Sequence, residues 1–236
     1  MTINSILVSL EEVKTLLVKA QIIDFENTSR PRNILNTKLS ADFLSVMFSD
    51  DYDMVYKTAM KNRDYDFVLF DGSFLQFSVT NCDDGLDNGV IRYAYFPNPR
   101  KHQTYCEFLV DNDTTYEEAG DLLAEEYEQY VSEARLKNIV TPIRYDYDFG
   151  AYQKDSHHPV SHLHIGSEEN VRIPISKILT PQAFILLVIR NMYYDHWKKA
   201  LLDDTFLAIG ERVKQQCPDL GQDKFTEFEK KQPYIC

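Results

Sequence analysis

From Tyr65 onward the hydrophobic period of the chain is two, and this constrains its fold more than any other feature. Asp66 to Phe70 reads as a strand, Asp71-Gly72 as a hairpin turn, and Phe74 to Val79 as its partner. Val90 to Phe96 is a third strand, stopped by Pro97 and Pro99, and Tyr105 to Val110 reads as a fourth. Strands that follow one another without helical crossovers pair antiparallel, so the spacing predicts a meander rather than a parallel α/β sheet.

Helical patterns flank this segment. Ser9-Leu10-Glu11-Glu12 fits a capping box, and the apolar spacing carries a helix to about Gln21. Residues 28–37, with Pro31 and three asparagines nearby, read as a loop. Ser40 opens a short helix to Phe48, and a second runs from about Asp53 to Asn62. Thr115 to Glu118 is another capping box, starting a helix to about Lys137. Its stretch from Glu117 to Glu133 holds acids and no Lys or Arg, which reads as a solvated face or a docking surface for a basic partner. Thr180-Pro181 is a strong helix start, and Phe184 to Leu202 is apolar on most faces. Arg190 inside that run predicts a carboxylate partner. Pro218 and Gly221 separate two short helical pieces in the tail.

The fold class is therefore α+β. An antiparallel sheet of about six strands carries helices on one side, with a small N-terminal helical lobe. The expected organisation is one domain over 1–236, with 1–64 as the lobe, 65–175 as a sheet with one inserted helix, and 176–236 as C-terminal helices. At 236 residues such a chain buries a full core without covalent staples.

Chemistry concentrates in Arg144 to Pro174, which holds four of the six histidines: His157, His158, His162 and His164. Ser161 to Ile165 alternates, so His162 and His164 share a face, with Val160 placed on that face and Leu163 and Ile165 on the other. Arg144 to Phe149 also alternates, putting Arg144, Asp146 and Asp148 together. If the two strands pair, carboxylates face imidazoles. His158-Pro159 then closes the loop and aims His158 in a fixed direction.

Three readings fit. In general acid–base chemistry, Asp146 orients His158, His162 or His164, and Arg172 stabilises developing negative charge, with Arg144 and His157 binding substrate. In a metal reading, His162 and His164, with His158 and an aspartate such as Asp148, hold zinc or another divalent transition metal, although no HExxH or cysteine-rich zinc signature accompanies them. In a structural reading, the histidines form a hydrogen-bonded polar layer.

Net charge of −12 argues against broad nonspecific binding to nucleic acid or anionic membrane. A small local site escapes this argument, because residues 135–175 balance five Lys/Arg against five Asp/Glu. Cys82, Cys106, Cys217 and Cys236 lack CxxC spacing and read as free thiols. Glu11 and Glu12 come too early for a signal-peptide core, and the longest apolar run, Ala183–Ile189, is too short to span a bilayer. The expectation is a cytoplasmic protein with no membrane partner.

Several strings resemble a bacterial family known as domain of unknown function 2290: Tyr65-Asp66-Phe67, Asp71-Gly72-Ser73, Gln76-Phe77, Arg92 to Pro99, Arg144-Tyr145-Asp146, His158 to Gly166 and Arg172-Ile173-Pro174. The resemblance implies membership of mobile defence or toxin–antitoxin cassettes, often beside an ATPase. It implies no activity. Arg144-Tyr145-Asp146, His157-His158 and His162-x-His164 are also similar to the motif of TumE-like toxins, with a departure at Leu163, where that motif tends to be basic. Two functions follow as expectations. One is a hydrolase acting on nucleic acid or nucleotide, with or without a divalent metal. The other is a non-catalytic sensor or adaptor that binds a partner ATPase or nuclease encoded nearby.

Overall fold

Thr2, rather than Ser9, opens the first helix. Ser5 N donates to Thr2 Oγ1 and Thr2 N donates to Ser5 Oγ, so the capping box sits about two helical turns earlier than the sequence suggests. Ser9 instead lies inside the helix, with its hydroxyl donating to Gln182 Oε1. The computed structural model describes residues 2–29, 39–80, 89–100, 103–133, 136–137, 139–152, 158–166 and 171–236.

In chain order the elements are α1 (Ile3–Lys19), β1 (Ile23–Glu26), α2 (Ala41–Val46), α3 (Tyr52–Asn62), β2 (Phe67–Leu69), β3 (Phe74–Thr80), β4 (Val90–Phe96), α4 (Tyr105–Asp111), α5 (Tyr116–Ala119) and α6 (Ala124–Glu133). They continue with β5 (Ile143–Asp148), β6 (Ser161–Ile165), β7 (Ile173–Pro174), α7 (Pro181–Met192), α8 (Tyr194–Ala200) and α9 (Asp204–Gln216). The fold is α+β. Its strands form one antiparallel sheet in sequential order, β1 to β7, so there are seven rather than about six.

The turn between β2 and β3 needs a glycine. Gly72 has φ of +77°, where an L side chain is strained, and a Cβ there would stand 2.7 Å from Asn98 Nδ2. The Asp71 carboxylate accepts from Ser73 N and from Tyr193 OH, tying the turn to the end of α7.

Alternation splits the sheet into two unlike faces. Phe77, Tyr93 and Tyr145 lie on one and meet Phe184 of α7. Ring centroids are 5.4 Å apart for Phe77–Tyr93 and Tyr93–Tyr145, and 5.8 Å for Tyr93–Phe184. Each such pair adds about 0.5–1.5 kcal/mol beyond the area it buries. α1 joins α7 on this face, contributing the fully buried Ile6, Val13 and Leu16 to the same core. The first helix therefore belongs to the main helical layer. The lobe on the opposite face consists of α2 and α3, whose Phe43, Val55 and Ala59 pack on Tyr65, Val68 and Phe74.

Three sequence assignments change. Tyr105 to Val110 is helix, not strand: Thr104 N donates to Glu107 Oε2 and Glu107 N donates to Thr104 Oγ1, a capping box that outweighs the β-prone composition of the segment. The helix expected from Thr115 to about Lys137 is broken at Gly120, with φ of +52°, into α5 and α6. The run from Phe184 to Leu202 breaks at Tyr193 into α7 and α8. Arg190 is exposed and lies over the Tyr194 ring, 4.6 Å from its centroid, instead of reaching a carboxylate of the site. Cys106, Cys217 and Cys236 are free thiols, while Cys82 lies outside the described residues. No described helix is long and apolar enough to cross a membrane.

Candidate functional site

The second face of the sheet carries the charged residues. β5 pairs with β6 so that Asp146 stands opposite His162 and Arg144 opposite His164. β4 extends both rows, with Arg92 opposite Asp146 and Ala94 opposite Arg144, and β3 completes them with Ser78 and Gln76. Register alone thus lines up Ser78, Arg92, Asp146 and His162 across four strands.

The register is pinned from the other face. Ser161 Oγ donates to Lys177 O at 2.7 Å, which leaves it to accept from Tyr145 OH at 3.0 Å. Tyr145 OH in turn accepts from Leu179 N. A slip of one residue would break this chain and turn His162 and His164 into the apolar core. Val160 does not share the histidine face as expected. It precedes β6, where Asp148 N donates to its carbonyl, and its side chain is fully buried in the core with Leu163.

Asp146, His162 and His164 are almost wholly buried, and each offers a ligand atom within 4.8 Å of the others. The Nδ1–H of His162 donates to Pro159 O at 2.8 Å. A carbonyl only accepts, so neutral His162 must leave its Nε2 as a bare lone pair. That lone pair faces His164 Nε2 at 3.0 Å. His164 Nε2 is also 3.4 Å from Asp146 Oδ2, the oxygen that accepts from Arg144 Nε at 3.0 Å.

Electrostatics follow from burial and these partners. Burial pushes the Asp146 carboxyl up, but the His164 hydrogen bond and the Arg144 charge outweigh it and hold the group at about 2. Burial lowers His162 to about 3, only partly offset by the Asp146 charge. His158 is lowered too, first by burial and then by the Arg172 charge. At neutral pH the cluster is therefore an ionised Asp146 beside neutral His162 and His158.

The remaining predicted residues fall around this trio. The His158 ring packs edge-on to His162, with centroids 5.2 Å apart. Arg172 immediately precedes β7. Asp148 stands apart from the converging trio: its carboxylate accepts from Ala151 N at 3.0 Å and lies 3.9 Å from Arg92 Nη2, so the carboxylate that meets the histidines is Asp146. His157 lies outside the described residues. Arg92 was not among the sequence candidates. The signal was available, because a charged residue between Ile91 and Tyr93 in a core strand must face the opposite side.

Three buried polar atoms here have no hydrogen-bond partner among the described residues: Asp146 Oδ1, His158 Nδ1 and Arg172 Nε. Such orphans are costly, at about 1–3 kcal/mol each, and their gathering in one place points to a group that completes them. A cavity of about 140 Å³ between the sheet and the lobe adjoins this cluster through His164 and Arg144, the two residues that contact Asp146. The sheet contributes Arg92, Arg144, His164, Gln76, Ser78 and Phe96 to its lining, and α2 with the residues just after it contributes Leu44, Met47 and Phe48.

The family described as "Uncharacterized conserved protein (DUF2290)" matches residues 17–236. The chain belongs to this family. The match covers every residue of the cluster, Arg92 included. No curated protein and no solved structure matches the chain. For this DUF2290 member, the argument for chemistry therefore rests on the site itself.

Proposed function

We propose that this DUF2290 protein is a hydrolase of phosphodiester or phosphoanhydride bonds, acting on a nucleotide or nucleic acid from the polar face of its sheet. One observation carries the reading: a buried Asp146–His162–His164 cluster and Arg92, Arg144 and Arg172 are all drawn from this region, with Arg92, Arg144 and His164 lining one cavity. Hydrolysis of such a bond forms a P–O bond to water and breaks the one to the leaving oxygen. A base takes the water proton, an acid protonates the leaving oxygen, and cations hold the phosphoryl charge. Neutral His162 supplies a proton acceptor, His158 lies beside it, and Arg92 and Arg144 reach the cavity as anion contacts. The apolar wall of Leu44, Met47 and Phe48 suits a base or sugar. The biological setting we propose is a bacterial defence or toxin–antitoxin cassette, the setting that the sequence resemblances imply.

The test is a growth and phage-challenge assay in the native gene cluster, comparing wild type with a His162→Ala/His164→Ala variant of equal expression and melting temperature. Loss of the phenotype in a folded variant supports the reading. Full retention refutes it.

The adaptor reading has one observation in its favour. Leu122, 81% exposed, sits among the acids of α5 and α6, a combination that suits docking to a basic, apolar partner surface. Co-purification with a neighbouring gene product that is lost on Leu122→Asp supports it, and an active monomer counts against it.

A further inference from the structure

We infer that Asp146, His162 and His164 form a three-ligand site for a divalent transition metal, of the nitrogen–oxygen preference shown by zinc. The hydrolase reading makes such an ion useful, but the inference stands on coordination geometry alone.

Two of the three donor spacings are those of ligands sharing one ion, and all three donor atoms lie within 4.8 Å of one another. Two nitrogens each about 2.0–2.1 Å from a zinc ion stand about 2.9–3.4 Å apart for bond angles between square and tetrahedral. His162 Nε2 and His164 Nε2 are 3.0 Å apart, and His164 Nε2 is 3.4 Å from Asp146 Oδ2. Without an ion, one proton must sit between two lone-pair nitrogens whose rings meet nearly edge-on, with planes at 66°.

The supporting contacts are those that metal ligands require. A ligating histidine donates its other ring N–H to a carbonyl or carboxylate, which fixes the tautomer and turns the bare nitrogen toward the ion. His162 does this through Nδ1 to Pro159 O. Ligating carboxylates are themselves hydrogen-bonded, and Asp146 Oδ2 accepts from Arg144 while the buried Oδ1 has no partner among the described residues. His158-Pro159 serves both ends of this arrangement, since Pro159 offers the carbonyl and His158 brings alongside an Nδ1 that has no partner among the described residues.

Two histidines, one carboxylate and no fourth ligand in the group among the described residues leave a coordination position for water, the pattern of catalytic rather than structural zinc. A cysteine-rich set would favour a closed structural site. The described cysteines lie outside this group, and its hard and borderline donors fit zinc, cobalt or manganese.

The experiment is equilibrium uptake of zinc by the full-length, chelator-stripped chain, read as metal per chain and as the change in melting temperature. Cobalt is the spectroscopic probe, since its visible bands report nitrogen ligation without any mutation. The expected result is saturable uptake of one ion per chain, a higher melting temperature with metal, cobalt bands, and loss of all three in Asp146→Asn and His164→Gln. Absence of saturable uptake by folded wild type overturns the inference, as does uptake unchanged in both variants. Metal uptake without phosphodiester hydrolysis leaves the inference intact and removes the hydrolase reading. Hydrolysis at the wild-type rate by stripped chain that takes up no metal does the reverse.

Discussion

The acid sensitivity of the fold should be set largely by His162. Its ordinary pKa of 6.5 falls to about 3 in the folded chain, because burial disfavours the charged ring. The unfolded chain therefore binds a proton near pH 6.5 that the folded chain refuses until about pH 3. Stability is unaffected above 6.5 and declines as pH falls through this window. Between pH 6.5 and 4.5 the loss is about two pH units at about 1.36 kcal/mol each, or about 3 kcal/mol. Asp146 adds nothing there, since its folded-state fall from 3.8 to about 2 acts only below pH 4. His158, also lowered, adds a loss of the same sign. The perturbation is His162→Asn, whose amide nitrogen can replace Nδ1 as donor to Pro159 O. The assay is urea unfolding of stripped protein at pH 7 and 4.5. Wild type should lose about 3 kcal/mol more than the variant across that interval. An equal loss in both proteins would refute the claim that His162 is held neutral by burial.

Four further outcomes follow. Tyr145→Phe removes the hydroxyl shared by Ser161 and Leu179 and should cost about 1–3 kcal/mol in urea unfolding. Leu163→Ala, at a site 2% exposed on the core side of β6, should cost about 2–5 kcal/mol by the same measurement. Gly72→Ala should lower stability by about 2 kcal/mol or more, from positive-φ strain and the 2.7 Å approach to Asn98. Arg92→Ala should leave the melting temperature within a degree or two, because its side chain is 52% exposed and its ion pair with Asp148 is long. It should instead raise KM for a phosphorylated substrate, as seen in steady-state kinetics.

Much of the site could be read from alternation. Arg144, Asp146, His162 and His164 were placed on common faces by period two, and a hairpin-like return was enough to bring the faces together. What alternation could not give was register. Asp146 and Asp148 are equivalent by pattern, and only the pairing of Asp146 with His162 separates them. For Arg92 the neighbours Ile91 and Tyr93 fix the face, but only the β4–β5 pairing brings it opposite Asp146. Elsewhere, competing local signals decided the errors. Tyr105 to Val110 has strand-like composition, yet Thr104 and Glu107 cap a helix there. β1 is four residues long and follows α1 after a residue at positive φ, so no period could develop within it. The placement of α2 and α3 over the polar face depends on Phe74 and Phe96 stacking at 4.7 Å from adjacent strands, a tertiary contact with no local signature.

The central claim is that this face hydrolyses phosphate esters or anhydrides. Its most direct test is turnover by the purified chain, with and without zinc, on single-stranded RNA, single-stranded DNA and nucleoside triphosphates, comparing wild type with His164→Gln. The account predicts release of product from at least one of these substrates, and a fall of about 10²-fold or more in the variant, whose melting temperature matches that of metal-free wild type. No turnover by folded, zinc-loaded wild type, or equal turnover by the variant, would contradict it.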